Sequence, residues 1–244
     1  IRFLKFFPKK ITFANYKHVF SNYDVLIAYW NTIKYTISGT FINILLTFMM
    51  AYPLSRKRFT GRKSFMKLIT ITLMFSGGMI PSFLVVKELG MYNTIWAVIL
   101  TGAISPWNLI ISKTFLESIP DSFEESAIID GCNDIQVLKD IFIPLSLPII
   151  ATMTLFYSVA HWNSFFTSLI YLNDKKKYPL QVFLRNILIE SDMSKYAQRA
   201  DDEIIVQQSI KYTVIVITSF PIVCLYPFLQ KYFIKGVMIG GIKG

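Results

Sequence analysis

ESIPDSFEESAIIDGCNDIQVLKDIFIP, residues 117–144, is an acidic island between two long apolar segments. Glu117, Asp121, Glu124, Glu125, Asp130, Asp134 and Asp140 are seven of the chain's 15 carboxylates. Lys139 is the one basic residue between 117 and 140, so a chain of formal charge +10 carries a local patch near −6. Pro120-Asp121-Ser122 reads as a helix start, and Ser122 with Glu125 has the spacing of a capping box that satisfies two orphan amide donors. The first helix is predicted to reach about Asp130. Gly131 then stops it, because glycine takes the left-handed C-terminal conformation without steric penalty. Asn133 with Gln136 offers a second capping box. The second helix, to about Phe142, places Ile135, Val137, Leu138, Ile141 and Phe142 partly on one face, and Pro144 ends it by withholding an amide. The stretch is therefore a helix, a glycine turn and a helix.

The flanks set the class. With 53% hydrophobic residues, 16% charged and a mean hydropathy of +0.47, the chain is too apolar for an ordinary soluble domain of 244 residues. Five charge-free runs approach the roughly 20 residues a helix needs to cross hydrocarbon: Tyr35–Ser55, Leu68–Val86, Leu89–Ser112, Phe142–Asn173 and Tyr212–Gln230. The fold expected is an all-α integral membrane protein with five transmembrane helices, in one domain covering 1–244. Its parts are an external N-terminal segment at 1–27, a cytoplasmic loop at 113–144, an external loop at 173–208 and a cytoplasmic tail at 231–244. No signal-peptide pattern precedes these runs. Arg56, Lys57, Arg58, Arg62 and Lys63 crowd the short loop after the first run, a cytoplasmic signal. The other side is basic too, through Lys5, Lys9, Lys10, Lys17, Lys175, Lys176, Lys177 and Arg185, so that short loop and the acidic island set the orientation.

The helix from about Ala28 to Leu54 carries Asn31, Thr32, Thr36, Ser38, Gly39, Thr40, Asn43 and Thr47, groups that need partners away from lipid. It is expected inside the bundle, with Lys34 snorkelling at its outer end. Gly77-Gly78 with Pro81, and Gly102 with Pro106, interrupt the next two runs. In the fourth run, His161-Trp162-Asn163-Ser164-Phe165-Phe166 is a polar and aromatic cluster. Asn43, His161, Trp162, Asn163 and Phe166 are candidates for lining a ligand pathway, aromatic faces offering stacking surfaces and amides supplying directional hydrogen bonds. Interfacial anchoring or packing of Trp162 is the competing reading. Residues 179–190 have the pattern of an amphipathic helix.

Glu125-Ser126-Ala127, Gly131, then Ile141-Phe142-Ile143-Pro144, resembles the EAA loop of binding-protein-dependent ABC importer permeases, E-A-A-x3-G-x9-I-x-L-P. Ser126 and Ile143 depart from that pattern, both small or volume-conserving changes. The resemblance extends over essentially the whole chain. It implies a type I importer permease fold in a bacterial cytoplasmic membrane, usually with six helices, and hence a helix preceding Ile1. It also implies that the loop is the coupling helix, with Glu124, Glu125, Ser126, Ala127, Asp130, Gly131, Ile141, Ile143 and Pro144 at the ATPase contact. The partners implied are a second permease, two ATPase subunits and an extracellular substrate-binding protein that docks on the 173–208 loop, with lipid around them. Carbohydrate is the implied cargo. The chain itself is expected to bind no cofactor, ATP and Mg residing on the ATPase.

Other classes fit less well. Cys132 and Cys224 fall in different compartments and have no metal-ligand spacing. No HExxH, GxSxG or P-loop occurs, so neither an intramembrane hydrolase nor an ATPase is expected. The basic residues are spread over loops rather than along one soluble face, which argues against nucleic acid. A secondary transporter would need carboxylates inside the spans for ion coupling, and the charge-free runs hold none. An inert scaffold remains the third reading.

Overall fold

The computed structural model describes residues 14–196 and 211–224, and every regular element among them is helical. A short helix α1 (Ala14–Ser21) leads into α2 (Tyr23–Ser55), 33 residues without a break. It starts five residues before the expected Ala28, where the Asn22 side chain accepts the Asp24 amide. Its polarity is inverted relative to a soluble helix. Thr32, Thr36, Thr40, Asn43 and Thr47 are buried, while Trp30, Ile37, Phe41, Leu45 and Met49 face outward. A medium without water explains this: hydroxyls and amides must find partners within the protein, and apolar side chains lose nothing by facing lipid.

After α2 come α3 (Arg62–Met74) and α4 (Met79–Glu88), bent by 118° across the Gly77-Gly78 break. The third run splits into α5 (Ile95–Leu100) and α6 (Pro106–Glu117), with Ser105 capping α6 and Pro106 at its first turn. Both interruptions fall at the glycine and proline pairs read from the sequence. The acidic stretch forms α7 (Asp121–Ile129), α8 (Asp134–Gln136), a π-helical turn at Val137–Phe142 and α9 (Ile143–Leu145). Beyond Ser146 the chain turns by 84° into α10 (Leu147–Trp162). Then follow α11 (Phe166–Tyr171), α12 (Leu180–Tyr196) and α13 (Lys211–Cys224). The amphipathic pattern at 179–190 is thus part of α12. The tail at 231–244 and most of the N-terminal segment lie outside the described residues.

Among the described residues α2 is the one unbroken helix long and apolar enough to cross a membrane, and counting each bent pair as one span gives up to three. Five charge-free runs do not translate into five continuous helices here. A charge-free run reports compatibility with lipid, whereas continuity also requires that no glycine or proline break the ladder.

Two local expectations are corrected. Pro120, in an extended conformation, is itself the cap of α7, so Ser122 falls inside the helix and the Ser122–Glu125 box does not form. Ser126 instead donates to the Ser122 carbonyl. Pro144 does not end its helix either. The π turn shifts the ladder, the Ile143 amide reaching back to Leu138, and the helix passes Pro144 to stop at Leu145. The Asn133–Gln136 box forms in full: Gln136 N to Asn133 Oδ1 is 2.9 Å, and Asn133 N to Gln136 Oε1 is 2.8 Å. Asn133→Ala should cost about 1 kcal/mol, read as faster hydrogen exchange at the Gln136 amide.

α2 packs chiefly against α10 and α6. One core holds Phe48 and Tyr52 of α2, Leu116 of α6, Ala127, Val137 and Phe142 of the acidic hairpin, and Met153 and Tyr157 of α10. Phe142 and Val137 are wholly buried, each such side chain contributing roughly 1.5–3 kcal/mol. The hairpin is therefore built into the bundle, not hung from it. At its other end α2 is fastened to the segment before α12: Asn31 Nδ2 donates to the Lys176 carbonyl at 2.7 Å, Tyr35 Oη to that of Lys177 at 2.8 Å, and the Leu180 amide to Thr32 Oγ1 at 2.8 Å.

Candidate functional site

The acidic hairpin is clasped by the basic loop that follows α2. Glu124 is only 6% exposed and Arg56 only 3%. Arg58 Nε donates to Glu124 Oε1 at 2.7 Å, the Tyr52 hydroxyl donates to the same oxygen at 3.4 Å, and Arg56 Nη1 stands 3.6 Å from Oε2. Arg56 also donates to Ser55 Oγ at 2.9 Å, to Asp121 Oδ1 at 3.3 Å and to the Leu116 carbonyl, with its guanidinium 4.6 Å above the Phe142 ring. Around this buried centre lie more exposed pairs: Lys57 with Asp121, Arg58 with Asp134, and Arg62 and Lys113 with Glu117. The Asp134 carboxylate, foremost, with Tyr52 and Glu124, holds the Arg58 guanidinium above its ordinary pKa. Exposed pairs contribute little, about 0–1 kcal/mol each, so the clasp depends on Arg56 and Glu124.

This arrangement divides the predicted coupling residues. Glu124 and Ala127 face inward, Ala127 within the core. Glu125, Ser126, Asp130 and Gly131 form the outer surface of the hairpin. Gly131 has φ +81°, with its amide on the Ile128 carbonyl at 3.0 Å and the Cys132 amide on that of Ala127 at 2.9 Å, the closure of a glycine-ended helix. Ile141 and Ile143 are half-buried and Pro144 is exposed. Two features escaped the sequence reading. Arg56 and Arg58 were read for topology alone, although a basic loop and an acidic loop on one side of a membrane invite pairing. Ile129 and Ile135, 86% and 76% exposed, put apolar surface on a hairpin otherwise lined with carboxylates.

The predicted pathway residues do not form one cluster. Asn43 and His161 meet, Nδ2 to Nε2 3.2 Å, in the interface between α2 and α10. Gly39 allows this approach, since a Cβ there would lie 2.4 Å from His161 Nε2. Trp162 is buried, donating to the Thr218 carbonyl at 2.9 Å with Tyr29 edge-on at 5.9 Å. Asn163 and Phe166 are exposed, Asn163 accepting from Gln181 at 3.3 Å. Beside the Asn43–His161 pair, Thr36 Oγ1, Thr40 Oγ1 and Asn43 Oδ1 are buried with no hydrogen-bond partner among the described residues. Among the described residues no three His, Cys, Asp or Glu side chains could hold a metal ion together, and Cys132 and Cys224 are free thiols.

The described residues thus form a helical bundle with a buried polar seam and an ion-paired helical hairpin. Residues 43–239 match the family of binding-protein-dependent transport system inner membrane components, and the chain belongs to it. It is a non-catalytic permease, the ATPase of such a transporter being a separate subunit. Protein LplC of Bacillus subtilis (strain 168) is 47% identical over 239 residues, covering 98% of this chain and 81% of its own. The polygalacturonan/rhamnogalacturonan transport system permease protein YtcP of the same organism is 45% identical, covering 97% and 84%. A solved chain from a bacterial ABC transporter that imports the acidic polysaccharide alginate superposes with a TM-score of 0.83 at 32% identity, covering 93% of this chain and 81% of that one.

Proposed function

We propose that the chain is one of two permeases of an ATP-driven importer for an oligosaccharide, moving it across the bacterial cytoplasmic membrane from an external binding protein by alternating access. The carbohydrate cargo rests on relatives named for polygalacturonan, rhamnogalacturonan and alginate transport. In this reading the membrane is crossed at all five charge-free runs. The coupling role rests on one observation: the clasp holds α7 and α8 rigidly against α2 while leaving Glu125, Asp130, Ile129 and Ile135 free to enter a groove on the ATPase. ATP binding draws the ATPases together, the hairpins move with them, and the core shared with α2 and α10 carries the motion to the buried Asn43–His161 seam. ATP and Mg stay on the ATPase, and the 173–208 loop receives the binding protein.

The test is ATPase activity of the reconstituted complex, with and without its binding protein, across neutral and uronate oligosaccharides. Stimulation by a loaded binding protein supports the importer and identifies its cargo. If uptake proceeds without the ATPase and collapses with the proton or sodium gradient, the reading fails. Gly131→Asp should lower the stimulated activity. Among the described residues no atom lies within 4 Å of a Cβ at this position, so the penalty comes from the left-handed backbone, at most about 1–2 kcal/mol, and from one more negative charge in the acidic patch, and Gly131→Asn, which adds no charge, should lose less.

A further inference from the structure

The cations of the clasp do more than meet carboxylates. On the outer side of the loop, Lys57, Arg58, Arg62, Lys63 and Lys113 line a cup of about 820 Å³, and among the described residues no carboxylate lies in its walls. Beyond it, a groove of about 580 Å³ runs down α3 along Met66, Lys67, Thr70 and Ile71, and Lys63 and Met66 belong to both. Lys57, Arg58, Arg62 and Lys113 each have a carboxylate partner, whereas Lys63 and Lys67 have none among the described residues. These two lie four apart on one helix face, a like-charge spacing that is unfavourable unless an anion lies between them. The surplus positive charge therefore sits where the cup passes into the apolar groove.

We propose that this composite cavity is a binding site for an anionic phospholipid, the phosphodiester headgroup in the basic cup and an acyl chain along the groove of α3. A free phosphate would use the cup and leave the groove empty. The groove is continuous with the cup and descends along a helix whose apolar residues Leu68, Ile71, Leu73 and Met74 are all exposed, which favours an amphiphile. Basic pockets at the cytoplasmic ends of membrane helices have the charge for such headgroups. The lipid would neutralise Lys63 and Lys67 in the first turns of α3, just beyond the loop that grips Glu124.

The full chain, purified with its partner subunits and stripped of lipid in mild detergent, is titrated with short-chain phosphatidylglycerol, phosphatidylcholine of equal chain length, and glycerol phosphate, with bound molecules counted by native mass spectrometry. Phosphatidylglycerol should be retained in preference to the other two. Lys63→Gln combined with Lys67→Gln should weaken it about thirtyfold, and Lys87→Gln, on the exposed far arm of the bent pair, should not. Equal retention of phosphatidylcholine would make the groove an unselective apolar surface, and equal binding of glycerol phosphate would make the cup a free-anion site. Either result overturns the proposal, as would unchanged phosphatidylglycerol binding in the double variant, or none in the assembled complex because the ATPase covers the cup.

Discussion

Arg56→Ala should destabilise the chain by about 3–5 kcal/mol, the range for breaking a buried ion pair by removing one partner. Three losses coincide. Glu124 keeps half-exposed Arg58 as its one ion partner, with the long Tyr52 hydroxyl bond beside it, the Leu116 carbonyl loses its guanidinium donor, and the Phe142 ring loses the cation above it. Thermal or denaturant unfolding of the purified complex reads the effect. Replacing both members by apolar residues, Arg56→Met with Glu124→Leu, should recover much of the stability. Transport should stay impaired in that double variant, because an apolar contact no longer ties Asp121 of the hairpin to residue 56, nor Arg58 to residue 124. An unchanged unfolding transition in Arg56→Ala would show that the core alone seats the hairpin.

Gly39→Leu is expected to cost about 3 kcal/mol, the upper part of the overpacking range, and to abolish uptake. The His161 ring occupies the space the new side chain needs, with three ring atoms within 2.8 Å of the Cβ position. The ring cannot swing aside without giving up Asn43. Gly39→Ala sets two effects against each other: alanine gains about 1 kcal/mol of helix propensity and meets the same clash. The clash should win, since rings are less yielding than flexible chain ends. His161→Ala added to Gly39→Leu should restore folding, and recovered unfolding behaviour without recovered uptake would assign His161 to transport as well as packing. Unimpaired uptake in Gly39→Leu would mean that the α2–α10 seam is looser than this geometry implies.

Local chemistry of the hairpin was legible in the sequence. The Gly131 turn and the Asn133–Gln136 box follow from spacing and conformational preference, because each involves residues a few positions apart, whereas Ala127, expected at the ATPase contact, lies in the core. The Ser122 box failed on the same scale: the helix starts two residues earlier than that box requires, with extended Pro120 at the cap. Pro144 misled because a π turn, which no propensity signals, supplied a ladder that does not need its amide. The pairing of Glu124 with Arg56 was out of reach for another reason. It spans 68 residues of chain, and sequence shows only that a basic loop and an acidic loop share a side. The division of the aromatic cluster into buried His161 and Trp162 and exposed Asn163 and Phe166 likewise depends on where α10 ends, at Trp162, and the chain changes direction.

α2 runs 33 residues, about 50 Å at 1.5 Å per residue, pinned at one end to the Lys176–Leu180 backbone and at the other to the clasp. A strut fixed at both ends makes the two sides of the membrane parties to one equilibrium. In the importer proposed above, thermodynamic linkage then demands symmetry: whatever factor a binding protein on the outer loop imposes on affinity at the hairpin, occupancy of the hairpin must impose on that protein in return. On that proposal the nucleotide state of the ATPase is measurable from outside, as a change in how tightly the binding protein holds.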